Sequence, residues 1–160
     1  MQNIDELLSE YGESHTNKTN KLIHWICVPL IMLSLVGLIM QIPFPVNFKS
    51  LNWAVLVLAL ALVYYYRLSI PFFIGFMIIS VFLIKGNQML IEFCNSNNWN
   101  ATLVMILIFV LAWIGQFVGH KIEGKRPSFF EDLQFLLIGP AWLLHFIYKK
   151  MGIKYTNSAQ

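Results

Sequence analysis

The chain has 160 residues, of which 58% are hydrophobic and only 12% charged. Soluble domains carry about 25% charged residues, so this composition excludes an ordinary water-soluble globule. A net charge of +3 without a basic cluster interleaved with aromatics excludes a nucleic-acid surface, and two cysteines, Cys27 and Cys94, exclude a disulfide framework or a Cys-x-x-Cys metal site and read as small apolar fillers.

Residues 1–18 carry Asp5, Glu6, Glu10 and Glu13 ahead of any apolar run, the reverse of a signal peptide's basic start. Ile4, Leu7, Leu8 and Tyr11 fall at i, i+3, i+4 and i+7, which predicts a short amphipathic helix. It is too acidic for a lipid surface and is expected to pack on the protein's own polar face. Leu22–Gln41, free of charge, predicts the first membrane helix, ended by Pro43 and Pro45. The second is predicted over Leu51–Tyr66, with Tyr64-Tyr65-Tyr66-Arg67 as an interfacial aromatic belt. After a reversal at Arg67-Leu68-Ser69, Pro71 suits the first turn of a third helix near Ile70–Ile84, with an exit either at Lys85-Gly86-Asn87 or, because Met89–Phe93 continues apolar, at the clearer polar stretch Asn95–Asn100. A fourth covers Asn100–Val118, and Gly119–Pro127 reads as a polar loop.

The last apolar segment, Leu133–Tyr148, is interrupted by Gly139-Pro140. Its 16 residues would span ~24 Å, short of the ~30 Å hydrocarbon core. It is either a short kinked span or a re-entrant element. With four spans, one face holds Lys18, Lys21, Arg67, Lys121, Lys125, Arg126, Lys149, Lys150 and Lys154, and the other only Lys49 and Lys85: nine against two. With five full spans the count is six against five. The positive-inside rule therefore favours four spans, with both termini cytoplasmic. The expected fold is an all-α integral membrane helical bundle, one domain over 1–160. It has four transmembrane helices, a Gly-Pro-broken re-entrant or short fifth segment, and an N-terminal amphipathic helix.

In that topology His15, His24, His120 and His145 all lie at the cytoplasmic face, with Glu123 three residues after His120. Ionisable groups at membrane depth are functional candidates, and imidazole is the commonest metal ligand. A single interfacial histidine needs no function; four on one side point to a metal. His15 and His24 are nine residues apart, half a turn out of phase on one helix. Both ligate one ion only if the chain breaks between them, and Asn17, Thr19 and Asn20 are suitable break residues. His120 and Glu123 share a face if that stretch is helical. Imidazoles with a carboxylate suit iron, zinc, manganese or copper, so non-haem Fe(II) oxygen chemistry and a zinc-dependent lipid hydrolase both remain open. A haem carrier would use His24 and His120 as axial ligands. A structural or transport protein with merely interfacial histidines is the remaining class, and transport is weakened by the few polar groups at midplane depth and the lack of an inverted repeat.

Two blocks carry a family resemblance. Tyr11-Gly12-Glu13-Ser14-His15-Thr16-Asn17-Lys18-Thr19-Asn20-Lys21-Leu22-Ile23-His24, followed by Val28-Pro29, resembles the Tyr-x3-His-x-Asn-x2-Asn-x3-His block of the fungal-type 2-hydroxy fatty acid dioxygenases of alpha-oxidation and their bacterial relatives. Gln116-Phe117-Val118-Gly119-His120 with Glu123 and Pro127 is similar to that family's Gln-Phe-x-Gly-His loop, and Gly139-Pro140 to its small residue plus Pro. The fungal type has one more residue between the loop histidine and its glutamate, and no clear histidine at the position of His145.

The resemblance implies an Fe2+-dependent enzyme that turns a 2-hydroxy fatty acid and O2 into an acid one carbon shorter. His15, His24, His120 and Glu123 would be catalytic, and these four with His145 the candidate metal ligands. The acyl tail would lie among the membrane helices, with membrane lipid and no nucleic acid as surroundings. Lys125 and Arg126 sit beside His120, where a substrate carboxylate needs a counter-charge, and read equally as positive-inside residues. Trp25, Trp113 and Trp142 have tail-lining, interfacial or packing roles open to them. The expected location is a bacterial inner membrane, or the endoplasmic reticulum in a eukaryote.

Overall fold

Asparagines start three of the helices. In the computed structural model, which describes residues 4–13, 15–45, 51–124 and 136–155, the order is α1 (Ile4–Glu13), α2 (Lys18–Met40), α3 (Trp53–Leu68), α4 (Ile70–Ser96), α5 (Ala101–Glu123) and α6 (Ile138–Met151). Asn17, Asn52 and Asn100 sit in extended conformation before α2, α3 and α5, and each side chain accepts backbone N–H groups of the first turn. No strand occurs among the described residues.

Helices α2, α4 and α5, of 23, 27 and 23 residues, are long and apolar enough to cross a membrane. At 1.5 Å per residue they reach ~34–40 Å, against ~30 Å of hydrocarbon. Apolar α3 has 16 residues. Leu60, Phe82, Leu103 and Leu107 face outward, as side chains bathed in lipid do.

The centre of the bundle is the antiparallel pair of α2 and α5. It is drawn close by small residues, as membrane helix pairs are. A Cβ on Gly119 would collide with Asn20 Oδ1, and one on Gly115 would lie 2.6 Å from Cys27 Sγ. At the far end, a Cβ on Gly37 would collide with Asn87 Oδ1 and lie 2.6 Å from Met105 Sδ. Both cysteines are free and buried, as expected of fillers.

Three predicted boundaries and one predicted exposure are corrected. The third predicted helix does not exit at Lys85-Gly86-Asn87 but continues to Ser96. Asn87 is satisfied inside the bundle: its Nδ2 donates to Leu83 O at 2.9 Å and across to Leu33 O at 3.0 Å. The segment Gly119–Glu123 is the last turn of α5 rather than loop, and the helix stops at Gly124, whose φ of 77° is left-handed. Gly139-Pro140 is not a mid-helix break. It falls in the first turn of α6, where proline's missing N–H costs nothing. Tyr65 does not face outward as a lipid-facing belt residue would. It is fully buried, stacks on Phe76 at 3.6 Å, and its hydroxyl donates to Leu137 O at 2.6 Å.

Helix α1 docks by its apolar stripe rather than on a polar face. Ile4, Leu8 and Tyr11 join Ile138, Trp142 and Leu143 of α6 in one core cluster. The two short helices thus form a cap over one end of the α2–α5 pair.

Candidate metal centre

The break between α1 and α2 creates the site. Helix α1 ends at Glu13, Asn17 caps α2, and the backbone N–H of His15 turns back to Gly12 O at 3.0 Å. The reversal removes the phase conflict between His15 and His24. Their Nε2 atoms come to 3.2 Å, with rings crossed at 81°. The last turn of α5 adds His120, whose ring centroid lies 5.5 Å from that of His15 and 5.2 Å from that of His24. All three are buried, at 2%, 1% and 6% exposure. One ligand atom from each lies within 4.8 Å of the others, the one such group of His, Cys, Asp or Glu among the described residues.

The proton positions suit a metal. His15 Nδ1 lies 2.6 Å from Tyr11 O. A carbonyl oxygen only accepts, so Nδ1 carries the proton and Nε2 keeps its lone pair. Tyr11 OH lies 3.3 Å from His24 Nδ1, the outer partner that leaves His24 Nε2 to point inward. Two nitrogens bound to one first-row metal at ~2.0–2.1 Å stand about 2.8–3.4 Å apart at octahedral or tetrahedral angles. The 3.2 Å between the two Nε2 atoms fits that spacing. A haem does not fit between His24 and His120, whose rings meet edge to face at 5.2 Å.

Glu123 lies on the same helix end as His120 but is engaged elsewhere. It accepts the N–H of Thr16 at 2.7 Å, the N–H of Asn17 at 3.0 Å to each oxygen, Asn20 Nδ2 at 3.0 Å, and the Thr16 hydroxyl. The carboxylate sits at the N-terminus of α2, where orphan N–H groups and the helix dipole favour an anion. His145 is also apart from the three-histidine group. It is half-buried on α6, hydrogen-bonded through Nδ1 to the Tyr155 hydroxyl. Burial, then the Lys149 ammonium, pushes it below the ordinary 6.5, against an upward pull from Asp5. Lys125 and Arg126 lie outside the described residues.

Several residues support the histidines in ways the sequence did not assign to them. Tyr11 stacks on His15 at 4.2 Å. Trp142 of α6 covers the His15 ring at 5.2 Å and is 4% exposed. Asn20, fully buried, joins Glu123 to the close approach at Gly119. Tyr11, Asn20 and Gln116 all occupy fixed positions in the two blocks, which was the available signal. A cavity of about 30 Å³ adjoins His24, lined also by Tyr11, Trp113, Gln116 and Pro140 among others. Two larger apolar clefts share its walls. One, of about 180 Å³, lies between α2, α4 and α6 and meets it at Val28 and Pro140. The other, of about 90 Å³, lies chiefly between α2, α3 and α4 and meets it at Leu136. Trp25 lines the first cleft and Trp113 the small cavity.

Comparison with known proteins agrees with the resemblance in the two blocks. The chain is 28% identical over 147 residues to a yeast (Saccharomyces cerevisiae) protein named 2-hydroxy-palmitic acid dioxygenase MPO1, covering 91% of this chain and 79% of that one. No solved structure matches it. Over residues 1–151 the chain matches the family described as 2-hydroxy-palmitic acid dioxygenase Mpo1-like, and it belongs to that family.

Proposed function

We propose that this chain is an Fe2+-dependent membrane dioxygenase that shortens 2-hydroxy fatty acids by one carbon. The observation that carries the reading is the convergence of His15, His24 and His120, three buried imidazoles in a chain with helices of membrane-spanning length. The yeast relative's name supplies the substrate class. The overall balance closes without another reductant: one 2-hydroxy acid and one O2 give the shorter acid, carbon dioxide and water, so the four electrons lost by the substrate reduce one O2.

His15, His24 and His120 would hold the iron. Bound there, ferrous iron would supply the one-electron chemistry that lets O2 react with a closed-shell acid. The Tyr11 carbonyl fixes the His15 tautomer. Trp142 and the apolar cap of α1 and α6 keep bulk water from the imidazoles. Glu123 acts as a positioning residue, holding the end of α5 against the start of α2. Lys125 and Arg126 are the candidate counter-charges for the substrate carboxylate, and the apolar clefts beside the site are the candidate berths for the acyl tail.

In the membrane, α2, α3, α4 and α5 are assigned as four spans, with α6 a short element that does not cross and both termini cytoplasmic. The charge asymmetry along the sequence supports this. The bacterial inner membrane, or the endoplasmic reticulum in a eukaryote, is the corresponding location.

The test is direct. Protein purified without oxygen and loaded with Fe2+ is given 2-hydroxypalmitate and then O2, and the products are analysed for the C15 acid. No C15 acid at full iron occupancy overturns the reading. A zinc-dependent lipid hydrolase is the second reading, favoured by a donor group without a carboxylate, since three histidines also make a catalytic zinc site. Tightly held zinc with oxygen-independent lipid hydrolysis would establish it instead.

A further inference from the structure

Gln116 has no part in the chemistry assigned so far, yet it is placed unlike any other buried amide. It lies on α5, one turn before His120, and is 5% exposed. Its Oε1 is buried and accepts no hydrogen bond among the described residues. Asn20 and Asn87 also carry such an oxygen, but each packs against a glycine, Gly119 and Gly37 respectively. Neither lines the small cavity beside the histidines. Gln116 does, together with His24 and Tyr11.

A buried carbonyl oxygen without a donor is costly, and the cost is removed by whatever supplies one. The cavity, about 30 Å³, admits a group of hydroxyl size and not an acyl chain. Val28, Leu136 and Pro140 in its wall also line the apolar clefts. A fatty acid seated with its tail in a cleft and its head at His24 would bring C2 beside this cavity. A plain fatty acid presents only C–H there. A 2-hydroxy acid presents O–H, which donates.

We infer that Gln116, which shares the cavity wall with His24 and Tyr11, is a specificity-determining residue: its Oε1 accepts the 2-hydroxyl proton of the substrate and selects 2-hydroxy fatty acids over unsubstituted ones. The inference rests on the proposed substrate class but not on the metal or on turnover. A hydroxyl oxygen still has lone pairs when its proton is donated, so this contact does not compete with any other made by that oxygen. A site built to pair with a hydroxyl rejects the analogue that lacks it, because the site's own polar group is then left unpaired.

The experiment measures equilibrium binding of radiolabelled 2-hydroxypalmitate and palmitate to metal-free full-length protein in neutral-lipid nanodiscs. The wild type is compared with Gln116→Met and Gln116→Leu. Without metal, chelation by the 2-hydroxy acid contributes nothing to the preference. The wild type is expected to prefer 2-hydroxypalmitate about tenfold or more, the worth of one buried hydrogen bond with its partner otherwise unpaired. In both variants the preference falls to near unity, 2-hydroxypalmitate binding more weakly and palmitate equally or more tightly. Metal stoichiometry of each variant on reloading reports an intact histidine site. Retention of the wild-type preference in the variants overturns the inference, as does an equal loss of both ligands, the signature of a structural role. Absence of any preference in the wild type also overturns it. If the preference depends on Gln116 but no C15 acid forms in the turnover assay, the dioxygenase reading falls and the hydroxyl recognition stands.

Discussion

Glu123 receives the backbone N–H of Asn17 at 3.0 Å to each of its carboxylate oxygens, so the last turn of α5 is tied to the first turn of α2. His120 lies one turn before Glu123, and His15 two residues before Asn17. The clamp therefore sets the distance between the two halves of the histidine group. Glu123→Gln keeps an accepting oxygen and is expected to retain most metal affinity, while Glu123→Ala lowers it about tenfold or more. Equilibrium metal titration of the purified variants checks this. Equal losses in both would instead make the carboxylate a ligand.

Replacing His15, His24 or His120 by alanine is expected to weaken metal binding by more than the ~100-fold that outer partners reach. His145→Ala leaves it unchanged, because His145 pairs with Tyr155 away from the group. Elemental analysis after dialysis separates the two classes, and retention of metal by all three alanine variants would refute the site.

Tyr11→Phe preserves the ring stacked on His15 and removes only the hydroxyl beside His24 Nδ1. Metal affinity is expected to fall about tenfold, the effect of losing an outer-shell partner. Thermal stability should change little. A metal dissociation constant equal to the wild-type value would show that this hydroxyl orients nothing.

Two glycine substitutions should have different outcomes. Gly119→Ala forces a methyl into Asn20, and Gly37→Ala forces one into Asn87 and Met105. Each overpacks the α2–α5 seam and is expected to cost about 1–3 kcal/mol. Only the first is beside the histidines, so only Gly119→Ala should also lower metal stoichiometry. Unfolding in detergent and metal content, measured on the same samples, test the contrast.

Burial and Lys149 hold His145 below 6.5, with Asp5 opposing. Its folded value is depressed, so the stabilisation it gives is complete above 6.5 and is lost as the pH falls through that lower value. Hydrogen exchange near Tyr155 is expected to rise on acidification below 6.5. His145→Gln should remove that pH dependence while leaving the behaviour at pH 8 unchanged.

Much of this architecture was legible in the sequence, for reasons that can be named. The acidic helix at Ile4–Glu13 follows from its periodicity. The need for a break between His15 and His24 follows from helix phase alone, and Asn17, a natural cap, marks it. Elsewhere the deciding partner lies on another element. Asn87 reads as a helix exit until Leu33 of α2 supplies its acceptor. Glu123 reads from the sequence only as a neighbour of His120, because the open end of α2 that it meets is about a hundred residues away. Pro140 reads as an interruption, because nothing local shows that α6 begins only two residues earlier.

The chain order of the three imidazoles has a consequence for how the centre comes into being. His15 and His24 flank the start of the first long apolar helix, and two more, α4 and α5, must be made before His120 arrives. Chains are made from the N-terminus onward, so a nascent chain presents an incomplete two-histidine site through most of its insertion. The third donor comes only when α5 lies antiparallel against α2. On the proposed metal reading, capture of the ion would therefore await α5, and a chain arrested before it would be left without its full donor set.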